Sequence, residues 1–216
     1  MNNAVLFDWD NLLVPTHESW LRANQETFAK HDRQLDEKTF LQLGGGSNLA
    51  ELLRALHLDV ALTDIIQHER NSVYDVLLEE SEWETGAEEL LDVLKVRQVL
   101  VGVVTSARRQ NMNVMIRRLD ASRFFPANIV ICREDIGDRI KPDPHGLQLG
   151  VRRLGVPAEN SFYLGDLKTD MEASKNAGMK GILVKNKLTQ PDAHTLAVAV
   201  YSSLTECRER LDEWLK

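Results

Sequence analysis

Short apolar runs recur along the chain: residues 4–8 (AVLFD), 99–105 (VLVGVVT), 128–132 (NIVIC), 161–165 (SFYLG), 181–184 (GILV) and 198–201 (VAVY). Continuous runs of this length, rich in Val and Ile, suit strands buried on both faces of a parallel sheet. Between them, apolar residues return at helical spacing. Met112, Met115, Ile116 and Leu119 do so within 108–119, and Leu147, Val151 and Leu154 within 145–154, which Pro144 opens. Residues 169–177 read as a helix capped by Thr169 and stopped by Gly178. Leu204, Cys207, Leu211 and Leu215 share one face of a last helix over 204–216. Strands alternating with helices predict right-handed crossovers and an α/β fold with a doubly wound parallel sheet.

The alternation breaks over residues 16–84, where no strand pattern is found. Helices are predicted at Ser19–His31, Asp36–Leu43, Asn48–Leu56 and Thr63–Glu80, with apolar faces formed by Trp20, Ala23 and Phe28, then Ile66, Val73 and Leu77. A sheet interrupted after its first strand by a helical stretch predicts two parts. Residues 1–15 and 85–216 form an α/β core domain, and 16–84 form an inserted all-helical cap, with hinges near Pro15–Thr16 and Glu84–Gly86. The Gly44-Gly45-Gly46-Ser47 stretch reads equally well as a loop entering a site or as a plain turn. The 216 residues suit one large domain or one domain with an insert.

Composition narrows the function classes. A net charge of −7 argues against a binder of nucleic-acid polymers or anionic membranes. It leaves room for an anionic substrate, because a bound divalent metal reverses the local sign. No apolar segment approaches the ~20 residues needed to span a bilayer, and no signal-peptide pattern is seen at the N-terminus. With Cys132 and Cys207 alone there is no disulfide framework, so a reducing cytoplasm is the expected location. The histidines fall in no metal-ligand spacing. A monomer is expected, with a homodimer left open.

The chemistry-bearing residues sit where strands end. Open parallel sheets bind ligands beyond the carboxyl ends of their strands. Asp8/Asp10, Thr105/Ser106, Lys141 and Asp166/Asp170 would all gather at that edge. Carboxylates two apart leaving a strand can face one pocket. One carboxylate can attack phosphorus, and a second can shuttle protons. A hydroxyl and an ammonium can hold phosphate oxygens, and several acidic oxygens near one point suit Mg2+.

Residues FDWDNLLV (7–14), VVTSA (103–107), IKPDPHGL (140–147) and YLGDLKTDMEASKNAGM (163–179) occur in this order. Together they resemble the four motifs of haloacid dehalogenase-like (HAD) hydrolases of the phosphoglycolate phosphatase/β-phosphoglucomutase type, a likeness that covers nearly the whole chain outside the helical insert. The resemblance implies a HAD-like, Rossmann-like core with a helical cap that covers the site and selects substrates. It implies that Asp8 is nucleophile and metal ligand, and that Asp10 is general acid/base with its backbone carbonyl on the metal. Thr105, Ser106 and Lys141 would bind the phosphoryl group. Asp166 would ligate Mg2+, and Asp170 would ligate it or orient its waters. The implied reaction is hydrolysis of a small phosphorylated metabolite, such as a phosphoglycolate-like compound, a sugar phosphate or a nucleotide, through an aspartyl-phosphate.

The first motif departs from its usual Gly-Thr continuation at Asn11-Leu12. Asparagine tolerates the left-handed backbone region nearly as well as glycine, but Leu12 removes a hydroxyl that could brace the loop. A phosphosugar mutase, a haloacid dehalogenase and a noncatalytic phospholigand-binding protein are the alternatives. The paired acid Asp10, with Asp166 and Asp170, weighs against dehalogenation. Trp9 is expected in the core or lining the cleft, and Arg108 and Arg109 are expected on a solvated helix face.

Overall fold

A computed structural model describes residues 3–43 and 49–215. The chain divides into two compact units, one of Met1–Pro15 with Glu82–Lys216 and one of Thr16–Ser81.

The first unit is α/β. Its strands are β1 (Ala4–Phe7), β2 (Leu100–Val104), β3 (Val130–Ile131), β4 (Ser161–Gly165), β5 (Lys180–Val184) and β6 (Ala199–Tyr201). They form one six-stranded sheet in the order β3-β2-β1-β4-β5-β6, with every pairing parallel. All of β1 and β4 is buried, as apolar runs covered on both faces require. The helices Arg109–Arg118, His145–Leu154 and Lys168–Asn176 lie where the periodicity places them. Helix His145–Leu154 comes close to β1 through Gly150, where a Cβ would lie 2.6 Å from Leu6.

Three details differ from the pattern. A helix at Ala87–Val96, burying Leu90, Leu91 and Leu94, joins those predicted. Thr169 lies inside helix Lys168–Asn176 and does not cap it; Asp170 accepts the N–H of Leu167 at 2.9 Å instead. The predicted helix over 204–216 is two, Leu204–Glu209 and Leu211–Trp214, divided at Arg210, with Ser203 capping the first.

Aromatic rings bury the side of β1 away from Leu6. Phe7 and Trp9 meet Phe125 at centroid distances of 6.3 and 6.2 Å, and Trp9 meets Trp83 at 5.7 Å. Trp9 is fully buried, and its indole N–H points to Met115 Sδ at 3.1 Å. Trp83 also packs on Phe124, and Glu84 donates its N–H to Leu13 O at 2.8 Å. These contacts tie residues 82–84 to the α/β unit. The division between the units therefore falls after Ser81, three residues before the expected 84/85 boundary.

The second unit is helical: His17–Ala29, Glu37–Gln42, Leu49–Ala55 and Thr63–Leu77, the last followed by a 3-10 turn at Leu78–Glu80. Phe28, Phe40, Leu52, Leu53 and Ile66 form its core. Asp36 caps the second helix by accepting Thr39 N–H at 2.8 Å. Gly44-Gly45-Gly46-Ser47 lies outside the described residues. Cys132 and Cys207 are free and buried. Among the described residues no helix is long and apolar enough to cross a membrane.

The aromatic cluster makes a stability prediction. Phe125→Ala, at a site only 1% exposed, should lower the unfolding free energy in urea by about 3–5 kcal/mol. Val96→Ala, at an 83% exposed site, should change it by less than about 0.5 kcal/mol.

Candidate active site

The strand order places a topological switch between β1 and β4, where a doubly wound sheet opens a crevice at its carboxyl ends. Asp8 follows β1 directly, and its N–H continues the ladder to Leu164 O at 2.9 Å. Asp166 follows β4, Thr105 follows β2, and Asp170 sits in the first turn of Lys168–Asn176. Lys141 comes from the loop before helix His145–Leu154. Asp8, Asp10, Thr105, Lys141, Asp166 and Asp170 thus gather at one edge.

Lys141 is the centre of this group. Its Nζ lies 2.8 Å from Asp8 Oδ1 and 2.7 Å from Asp170 Oδ1, and it donates to the Tyr163 hydroxyl at 3.0 Å. Three partners match the three protons of an ammonium. Tyr163 passes its own proton to Val104 O at 3.0 Å. The second oxygen of Asp170 accepts the N–H groups of Asp166 at 3.1 Å and Leu167 at 2.9 Å. That carboxylate sits so close to the end of β4 that a Cβ on Gly165 would lie 2.4 Å from Asp170 Cβ. The glycine of the Gly-Asp-x-x-x-Asp motif is therefore required for space.

Asp10 is held differently. Thr105 Oγ1 donates to its Oδ2 at 3.1 Å and accepts the N–H of Ala107 at 3.0 Å. Because Trp9 is buried between them, Asp8 and Asp10 both turn away from the aromatic core. Asn11 adopts φ 60, the left-handed conformation that its tolerance allows, and its N–H bonds Val14 O at 2.7 Å. Leu12 is buried. Ser106, next to Thr105, is exposed. Arg109 is partly buried and not a bare solvated residue: it pairs with Asp135 and donates to Val130 O at 2.9 Å. Arg108 donates to Asn111 at 3.0 Å.

Burial sets the electrostatics. Asp8, Asp166 and Asp170 are all buried, and each offers an oxygen within 4.8 Å of the others. Burial, reinforced by Asp170, pushes the Asp166 carboxyl up to about 7. Burial also raises Asp8 well above the usual carboxylate range, against the opposing pull of Lys141. Burial disfavours the Lys141 charge, but Asp170 and Asp8 more than compensate and raise its pKa well above the ordinary value. Asp166 Oδ1 is buried with no hydrogen-bond partner among the described residues. Oxygen-only donors, surplus negative charge and that orphaned atom fit a hard divalent cation. The Asp10 carboxylate is not one of the three in this group.

Tyr163, which opens the fourth motif stretch, and the loop after β5 also belong to the site, and the resemblance gives neither a role. A tyrosine inside an apolar strand run is a usable signal, since a buried phenol needs a polar partner. Asn186 and Thr189, which bond the Asp166 carboxylate and carbonyl at 2.8 and 2.7 Å, carry no such signal.

Known proteins resemble this chain over most of its length. It is 27% identical over 188 residues to a phosphorylated carbohydrates phosphatase of Thermotoga maritima, covering 83% of each. It is 28% identical over 186 residues to the pyrophosphatase PpaX of Bacillus velezensis, covering 82% of this chain and 80% of the relative. The solved structure of CbbY from Rhodobacter sphaeroides in complex with phosphate superposes with a TM-score of 0.80 at 25% identity, over 96% of both chains. The family model of haloacid dehalogenase-like hydrolases matches residues 5–184, and the chain belongs to that family.

Proposed function

We propose that the protein is a magnesium-dependent phosphatase that hydrolyses a small phosphomonoester through an aspartyl-phosphate on Asp8. The observation that carries this reading is the Asp8 carboxylate, buried at the β1/β4 switch, with the Lys141 ammonium 2.8 Å away and Asp166 and Asp170 beside it. Three buried carboxylates around one ammonium leave a negative surplus that a divalent cation would neutralise.

In this reading Asp8 attacks phosphorus as the bond to the leaving oxygen breaks, giving an acyl phosphate. Asp10, kept in place by Thr105, protonates that oxygen and then takes a proton from the water that attacks phosphorus, which frees inorganic phosphate and restores Asp8. Lys141 neutralises the phosphoryl charge, and the Thr105 hydroxyl, when its proton is not given to Asp10, orients a phosphoryl oxygen. Asp170 keeps Lys141 in position and ties it to the turn after β4. Magnesium, held by Asp8, Asp166 and the backbone carbonyl of Asp10, with Asp170 ligating it or orienting its waters, would supply the positive charge that lets an anionic carboxylate meet an anionic phosphate. The relatives' names point to phosphorylated sugars and pyrophosphate as the two classes to assay. Substrate choice is assigned to the helical unit as a cap.

Three measurements test this reading. Turnover of p-nitrophenyl phosphate, followed by a panel of sugar phosphates and pyrophosphate, should require Mg2+ and fall by roughly a thousandfold or more in Asp8→Asn. Silence across the panel, with phosphate still bound, would identify a noncatalytic phospholigand-binding protein instead. Gly165→Ala should displace Asp170 and, through it, Lys141, lowering kcat/KM by roughly 100-fold while the circular dichroism spectrum is retained. Mg2+ at about 100 times its Kd should stabilise the wild type by about 2.7 kcal/mol in a thermal melt, and Asp166→Asn should abolish that gain.

A further inference from the structure

We propose that Asn186, in the loop after β5, is a positioning residue that orients Asp166 for the cation and locks it to the loop carrying Asp10; the proposal rests on reading the acidic cluster as a divalent-metal centre. Both amide protons of Asn186 are used. Its Nδ2 donates to Asp166 Oδ2 at 2.8 Å and to Asn11 O at 2.9 Å. Its Oδ1 accepts the N–H of Leu188 at 2.8 Å. That last bond fixes which end of the amide faces the site, because only the oxygen can accept from an N–H.

The consequence falls on Asp166. With Oδ2 occupied by the amide, the oxygen left buried and without a hydrogen bond is Oδ1. Asp8 and Asp170 each offer an oxygen within 4.8 Å of an Asp166 carboxylate oxygen. A carboxylate with one oxygen satisfied has one rotamer favoured, so the other oxygen is presented in advance of binding. Thr189 closes the clamp from behind: its hydroxyl donates to Asp166 O at 2.7 Å and accepts the N–H of Asn186 at 3.0 Å. Asp166 is thereby held by both side chain and backbone from a single short loop.

The second Nδ2 bond gives Asn186 its reach. Asn11 stands at φ 60 directly after Asp10, and its carbonyl is the acceptor. One amide therefore spans the β1/β4 switch and couples the loop of the proposed acid/base to the proposed metal carboxylate.

The test uses the intact protein and Mn2+ binding measured by titration calorimetry without substrate, beside the Mg2+ dependence of turnover. Asn186→Ala should weaken Mn2+ binding and raise the Mg2+ half-saturation by the same factor, about 10–100-fold. Saturating Mg2+ should restore kcat to near the wild-type value, and the metal-free melting temperature should stay close to that of the wild type. A role only in folding the loop would instead lower that melting temperature and leave a loss of kcat that metal does not repair. Thr189→Val should shift Mn2+ affinity in the same direction by less, and it serves as the test should Asn186→Ala fail to fold. Unchanged Mn2+ affinity in Asn186→Ala, or in Thr189→Val where the first does not fold, overturns the clamp alone. A wild type that binds no Mn2+ or Mg2+ overturns the metal-centre reading as well.

Discussion

Burying several carboxylates around a single ammonium is the constraint on which the rest of the site depends. An isolated buried charge is far too costly to persist, so each must be met by an opposite charge or by hydrogen-bond donors. Lys141 meets Asp8 and Asp170 directly. Backbone N–H groups of Asp166 and Leu167, just ahead of helix Lys168–Asn176, meet the other oxygen of Asp170, and that of Leu167, the N-cap, is a donor the helix itself leaves unsatisfied. Helix Lys168–Asn176 can start where it does because Asp170 accepts from its N-terminal turn. One residue serves both the local rule for starting a helix and the global rule for burying a lysine. The compensation is incomplete at Asp166 and Asp8, whose carboxyls are pushed upward by burial. That residual imbalance makes the cluster chemically distinctive.

The sheet supplies the rigidity that this balance needs. Strand β1 lies between β2 and β4, and its two faces differ in character. On one side Leu6 fills the space left by Gly102 and Gly150, so backbone and helix pack closely. On the other, Phe7 and Trp9 lock into Phe125 and Trp83. Trp9 does the most for the site, because a fully buried indole between two aspartates fixes where the chain leaves the strand. Asp8 and Asp10 then fall to different partners, Lys141 and Thr105 respectively. Identical side chains two residues apart are given unlike surroundings, which is the general way two carboxylates acquire different duties.

Much of this was legible in the sequence, for identifiable reasons. The strands could be read because a strand covered on both faces cannot alternate polar and apolar residues, and the acids could be placed because they stand at the ends of those runs. The boundary after Ser81 was less legible: Trp83 belongs to the α/β unit through partners at Trp9 and Phe124, distant in sequence. Thr169 looked like a cap by residue type, yet the acid one position later has the better geometry, and composition does not separate them. The division of the last helix at Arg210 follows from no proline or glycine. Asn186 was invisible because an asparagine in a loop is usually turn chemistry. Only the fold brings it 2.8 Å from Asp166.

The Asn11-Leu12 departure shows how local and long-range terms trade places. The position that usually holds glycine needs a left-handed backbone, and asparagine provides it at φ 60 with little penalty. The hydroxyl that usually follows is absent, and Leu12 is buried, so that position contributes packing in place of a polar brace. The loop is braced nonetheless. Val14 O takes the N–H of Asn11, the N–H groups of Leu13 and Val14 return to Trp9 O, and the Asn186 amide takes the Asn11 carbonyl. A loop braced from a strand two places across the sheet depends on the position of β5 rather than on its own residue type. The Asn186 amide thus serves Asp166 directly and reaches the loop after Asp10 only through the Asn11 carbonyl.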